Sequence, residues 1–269
     1  MIIRKIDEPG VIAAANKVVE VYQRLLQEIE VGQKLPQIDQ TIRKIIEQLK
    51  CKSCFFHYRI PHKPPFPSYS CLSVNNCIVH GTAGYYDLPL KEGDLLKVDI
   101  GIQYQGWLAD VGWTFSIRSF ASDEAKRLMA CGKRSLLDSI DKLRPGRPIS
   151  DWAESVQNIV ESEGFHVCRY FGGHGYGRQL HEPPHISNRR SSDQDPWADA
   201  NKILQKGMLL AVEPMIAVGT PEVRSTVSGW PVFTADNSLT VHYEADVLIQ
   251  EDGPVNLTKV MNDLPEIVG

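Results

Sequence analysis

Two strand-like stretches of this chain, 114 residues apart, run into an acid at the same place. KEGDLLKVDIGI (residues 91–102) lies over QKGMLLAVEPMI (205–216): Gly93, Leu95, Leu96 and Val98 recur as Gly207, Leu209, Leu210 and Val212, and Asp99 falls on Glu213. The same offset lays GQKLPQIDQTIRKIIE (32–47) over GRPISDWAESVQNIVE (146–161). There Leu35, Ile38, Ile42, Ile45 and Ile46 meet Ile149, Trp152, Val156, Ile159 and Val160. Any two amphipathic helices look alike, so the helical pair alone says little. The strand pair says more, because an acid interrupts an apolar strand twice at one register. A chain built this way is expected to be a single domain of two related halves, about 1–120 and 121–269, with the acids near a pseudo-twofold axis. The fold class is α+β, a mainly antiparallel sheet with helices on its outer face.

The order of elements fits such halves. Asp7 stands as a cap before an amphipathic stretch in which Ile12, Ala15, Val19, Tyr22, Leu26 and Ile29 recur at helical spacing. A second helix is predicted over about 36–50, with Ile38, Ile42, Ile45 and Ile46 on one face. The loop HYRIPHKPPFPSYSC holds too much proline for regular structure. Strand-like sequence follows to Phe115, then helices over 123–143 and 150–163, then strands again.

Within DLLKVDIGIQYQGWLADVGWTF (94–115) the pattern is that of a β-hairpin turning around Tyr104 and Gln105, next to Gly106. A two-residue turn there sets Asp99 directly opposite Asp110, with side chains about 4.5–5.5 Å apart at Cβ. Two ionised carboxylates so placed in an apolar strand pair repel each other and are costly to desolvate. Either they share a proton, or a cation lies between them, or one faces solvent at a sheet edge. A metal ion is the better explanation, because carboxylates that share a proton in aspartic proteases come from separate loops.

Other residues add to the set. His174 sits among glycines in RYFGGHGYGRQLHEPP, with His181 seven positions on, and glycine permits the close backbone approach that a crowded site needs. Glu213 in GMLLAVEPM and Glu244 in LTVHYEADVLI are carboxylates in otherwise apolar strands, and buried acids need partners. Four carboxylates and one imidazole suit a dinuclear site for manganese, iron or cobalt better than a structural zinc. Two such ions can hold a bridging hydroxide and polarise a scissile carbonyl.

These residues carry a resemblance. His80–Gly81, VDIG with Asp99, ADVGWTF with Asp110, GGHGYGRQLHEPP with His174, LLAVEPM with Glu213 and YE with Glu244 resemble the type I methionine aminopeptidases over nearly the whole chain. The separations of 11 between the aspartates and 31 between the glutamates suit that family. The resemblance implies the pita-bread (creatinase/aminopeptidase) fold, a curved antiparallel sheet with outer helices and internal pseudo-twofold symmetry. It implies two divalent metal ions held by Asp99, Asp110, His174, Glu213 and Glu244. It makes His80 and His181 substrate contacts that stabilise the tetrahedral intermediate, and Glu213 the proton acceptor. Phe66, Cys71 and Trp230 fall where the family binds the methionine thioether. The chain departs from the pattern there: Phe66 replaces a usual tyrosine, Lys63 stands where another tyrosine is common, and Leu180 where phenylalanine is. SSDQDPWADANK (191–202) looks like a polar surface insertion. For His57, His62, His166, His185 and His242 the expectation is surface or core hydrogen bonding.

The implied activity is removal of the initiator methionine from nascent polypeptides, met near the ribosome. A proline-directed peptidase of the same fold and a non-catalytic peptide-binding relative are the rivals. With 29 basic and 33 acidic residues, a net charge of −4 gives no electrostatic reason to bind nucleic acid or an anionic membrane. No apolar run approaches the roughly 20 residues that span a bilayer, and the start lacks the order of a signal peptide. A cytoplasmic location is therefore expected, and the chain is read as a monomer. Its six cysteines are read as free thiols. Cys51 and Cys54 form a C-x-x-C without the second pair that a structural zinc requires.

Overall fold

The computed structural model describes residues 7–193, 195–226 and 229–269; the first six residues, part of the expected absence of a signal peptide, lie outside it. Helix α1 (Glu8–Leu25) starts where the sequence signals it, with the Asp7 carboxylate accepting from the Gly10 N–H and proline in the first turn. Its buried stripe runs through Val11, Ala14, Ala15, Val18, Val19, Tyr22 and Leu25. Ile12, placed on that face by spacing, is 44% exposed instead, because the stripe is centred one residue earlier. Tyr22 crosses the layer boundary: its hydroxyl donates to the carbonyls of Val98 and Val111, at 2.8 and 2.6 Å, and fastens the helix to the sheet. Helices α2 (Leu35–Gln48), α3 (Asp123–Ile140) and α4 (Ser150–Ser162) each bury one apolar face. Among the described residues, no helix is long and apolar enough to cross a membrane.

The first-half sheet is built on the hairpin of Leu95–Tyr104 and Trp107–Ile117, flanked by Lys52–Ser53, Cys71–Val74 and, in parallel, Ile267–Val268. Its register corrects the sequence reading. The turn falls on Gln105 and Gly106, both with positive φ, as a two-residue hairpin turn of the primed kind demands. Asp110 therefore pairs with Gly101, and Asp99 with Gly112. The two aspartates lie diagonally on one face rather than directly opposite, still within mutual reach.

The second-half sheet runs Gly253–Asn256, Ala245–Gln250, Leu209–Val212, Gly172–Gly175 and Glu182–Ser187, all antiparallel. Where the first half has one long hairpin, this half breaks. The strand Leu209–Val212 ends before Glu213 and Pro214 and resumes as Met215–Ala217 in another sheet, paired with Thr240–His242. Pro214 has no N–H to continue a ladder. Glu213 and Glu244 thus occupy the breaks at which two strands change sheets. The Glu244 N–H then donates to the Gly112 carbonyl at 2.7 Å, joining the second half to the hairpin of the first.

The offset of 114 recurs in the backbone hydrogen bonds. Gly32 N–H donates to the Leu90 carbonyl, and Gly146 N–H to that of Leu204; Leu90 donates to Gln33, and Leu204 to Arg147; Asp94 donates to Lys91, and Met208 to Gln205. Gly93 and Gly207 share a φ of +86°. Helices α1 and α3 also match at this offset to within one residue, an echo that their sequences hide.

Candidate metal centre

All the site residues named from the sequence line one cavity of about 380 Å³: Asp99, Asp110, His174, Glu213, Glu244, His80, His181, Phe66, Cys71 and Trp230. Asp99 and Asp110 come from the hairpin, His174 from Gly172–Gly175, and the glutamates from the two strand breaks. His174 Nε2 stands 3.9 Å from Asp110 Oδ2 and 3.7 Å from Glu213 Oε1. Its Nδ1 faces the Gly175 carbonyl at 3.0 Å; with the proton on Nδ1, the Nε2 lone pair points at the carboxylates, as in a metal-binding histidine. The glycines around it are needed: a Cβ at Gly173 would lie 2.1 Å from the Ala211 carbonyl oxygen, and one at Gly172 2.2 Å from that of Ile186.

The electrostatics of the site favour a bound cation. Burial raises the Asp110 carboxyl to about 7. Burial, reinforced by the other acids, pushes Asp99, Glu213 and Glu244 well above the ordinary carboxylate range. Among the described residues, no lysine or arginine pairs with any of them. Asp99 Oδ1 and Asp110 Oδ1 are buried with no hydrogen-bond partner. Burial also lowers His174 to about 3 and keeps it neutral. Asp110, His174 and Glu244 offer ligand atoms within 4.8 Å of one another, and Glu213, His242 and Glu244 do the same. An oxygen-rich donor set with orphaned, mutually repelling carboxylates fits divalent ions.

Three residues here were missed from the sequence. Asp246, fully buried, accepts from the Asp110 N–H through Oδ2 at 3.1 Å and so fixes a candidate ligand's backbone. It is an acid in an apolar strand, and the rule that found Glu244 could have found it. The Tyr58 hydroxyl lies 2.6 Å from His181 Nδ1; it comes from the proline-rich loop, which carries no periodic signal. His242, expected to serve only hydrogen bonding, has its Nε2 3.3 Å from Glu213 Oε2 and 3.9 Å from Glu244 Oε2.

The cavity is apolar away from the acids. Phe66 meets the Trp230 ring edge-on at 5.1 Å, and Phe55, Ile60 and Leu180 complete the wall. Lys63 bonds the Gly229 carbonyl at 2.8 Å and lies 5.2 Å over the Trp230 ring. A second cavity of about 480 Å³ shares His80, Asp99, His174, His181 and Glu213 and continues past Tyr170, Glu182, His185 and Asp199. Asp199 belongs to the 191–202 segment, which is more than a surface loop. Trp197 is buried, its Nε1 donates to the His185 carbonyl, and Asp199 accepts from the His185 N–H. All six cysteines are free thiols.

Residues 9–251 match metallopeptidase family M24. A methionine aminopeptidase from Aquifex aeolicus (strain VF5) is 33% identical over 252 residues, covering 92% of this chain and 94% of the relative. The crystal structure of a methionine aminopeptidase from Thermotoga maritima superposes with a TM-score of 0.85 at 31% identity, over 94% of this chain and 98% of that one. A prolidase from Pyrococcus furiosus shares the fold, with a TM-score of 0.72 at 19% identity, over 95% of this chain and 64% of that one.

Proposed function

Since this chain belongs to metallopeptidase family M24, we infer that its buried carboxylate centre hydrolyses the first peptide bond of a polypeptide and removes an N-terminal methionine. The observation that carries this reading is the convergence of an apolar cavity and the acid cluster on one point. Phe66, Cys71 and Trp230, with Phe55, Ile60 and Leu180, present a wall suited to an unbranched, polarizable thioether. The second cavity gives the rest of the polypeptide a path away from the acids.

Asp99, Asp110, His174, Glu213 and Glu244 hold two divalent ions in this reading, with manganese, iron or cobalt suited to the donors. Such ions, when bound, supply a nucleophile at neutral pH and polarise the scissile carbonyl. Glu213 takes the proton of the attacking water. His80, which burial lowers to about 4, and His181, lowered in the same direction, are neutral imidazoles facing the cavity. They hold the carbonyl oxygen as it gains charge. The chain acts as one catalytic unit of two related halves, about 1–120 and 121–269. The reading carries with it a cytoplasmic monomer acting on nascent chains.

The test is peptide turnover. Purified protein is incubated with Mn²⁺ or Fe²⁺ and with short Met-Ala and X-Pro peptides. Methionine released only when metal is present is the expected result. Cleavage confined to X-Pro peptides would transfer the chain to the proline-directed branch, and metal binding without turnover would make it a binding module.

A further inference from the structure

The five-ligand assignment leaves His242 without a role, yet its ring is packed against two of those ligands. The residue is 1% exposed. Its backbone is pinned twice to the hairpin: the Thr114 hydroxyl donates to the His242 carbonyl at 2.7 Å and accepts from its N–H at 3.0 Å. The ring lies flush on Gly112, where a Cβ would come within 2.6 Å of its Cε1. So held, Nε2 stands 3.3 Å from Glu213 and 3.9 Å from Glu244, and hydrogen-bonds to neither.

A buried ring nitrogen without a partner is costly, and a residue serving only to fill space has no reason to aim one at two carboxylates. Ligand atoms sharing one ion at about 2.1 Å stand roughly 3–4 Å from each other, which is the spacing here. We propose that His242 is a sixth protein ligand, binding through Nε2 the ion that Glu213 and Glu244 also hold. Asp110, His174 and Glu244 offer one close group of ligand atoms and Glu213, His242 and Glu244 a second, so an imidazole stands in each group.

The proposal rests on the metal reading above, and one experiment separates the two. The full chain is stripped with a chelator and titrated with Co²⁺ in H₂O, the bound ion being counted after gel filtration. Proton NMR then counts the far-downfield, solvent-exchangeable resonances, one from the N–H of each Co²⁺-bound imidazole. Two such resonances at two ions per chain are expected. In His242→Gln one should vanish, and affinity for one ion should fall by more than the roughly 10–100-fold that loss of an outer hydrogen-bond partner costs. A single resonance in the wild type at two ions per chain overturns the proposal and leaves the five-ligand centre standing. No Co²⁺ retained by the wild type overturns both. The wild-type count decides alone, so the test stands even where the variant folds poorly.

Discussion

Asp110 combines burial, a carboxyl raised to about 7 and a place beside His174, so its charge state is set by whatever cation it faces. Asp110→Asn keeps the size and removes the charge. The expected outcome is metal affinity lowered by more than about 100-fold and methionine release lost with it, read by metal analysis and peptide turnover. A fully metallated, active variant would remove Asp110 from the ligand set. Tyr58 invites a subtler change. Burial raises its hydroxyl, which therefore stays protonated and donates to His181 Nδ1, leaving the His181 proton on Nε2. Tyr58→Phe should lower kcat/KM about fivefold, in line with one hydrogen bond worth roughly 1 kcal/mol, while the thermal midpoint stays close to wild type. Unchanged kcat/KM would mean that the tautomer does not need Tyr58. The four predicted carboxylate ligands were legible because an acid in an apolar strand is an anomaly that sequence displays, and His174 because it sits among glycines. Tyr58 and His242 were not, since the contacts that single them out, with His181 and Glu213, come from residues more than 25 positions away in the chain.

At the level of elements, the sequence told helix from strand well and placed registers poorly. Asp7, Pro9 and the apolar stripe mark α1, and its start is where the cap puts it. The hairpin was legible as a hairpin, but its turn depends on which two residues accept positive φ. Gln105 does so beside Gly106, a choice that polarity alone does not reveal. The glycines at 172 and 173 were read as allowing close approach, and the strand Gly172–Gly175 gives that reading a number. A methyl on Gly173 would meet a backbone oxygen of the neighbouring strand at 2.1 Å, where nothing flexible can yield. Gly173→Ala is expected to destabilise the protein by at least about 3 kcal/mol, measured as a shift in denaturant midpoint. Gly177→Ala, with its nearest atom at 3.6 Å, is the control and should be near neutral. Equal midpoints for the two would show that the strand packs less tightly than these contacts require.

Across the whole molecule, the repeated glycines, hydrogen bonds and helices bring acids from both halves to one place, and the resulting charge makes stability depend on metal and pH together. Two opposing sets of groups decide the sign. His80, His174 and His242 are lowered to about 4, 3 and 3, so the folded state loses stability as pH falls below their unfolded value near 6.5. Asp99, Asp110, Glu213 and Glu244 are raised, so the unfolded chain releases their protons first and the folded state loses stability as pH rises. Between about pH 4 and 6.5 the two sets oppose each other. Above about 6.5 the histidines are neutral in both states, and the four carboxylates are opposed by Lys97, which burial lowers to about 7 and which the unfolded chain keeps protonated. Each proton held by the folded but not the unfolded state then costs about 1.4 kcal/mol per pH unit, or roughly 2–4 °C per kcal/mol for a chain of this size. Metal-free protein should therefore melt at a progressively lower temperature from pH 6.5 to 8. Bound divalent ions keep the carboxylates ionised in the folded state, which removes that slope and raises the midpoint throughout. Thermal melts across this range, with and without excess Mn²⁺, measure both effects. A metal-free protein with a flat profile would mean that the four acids are already neutralised by the protein itself.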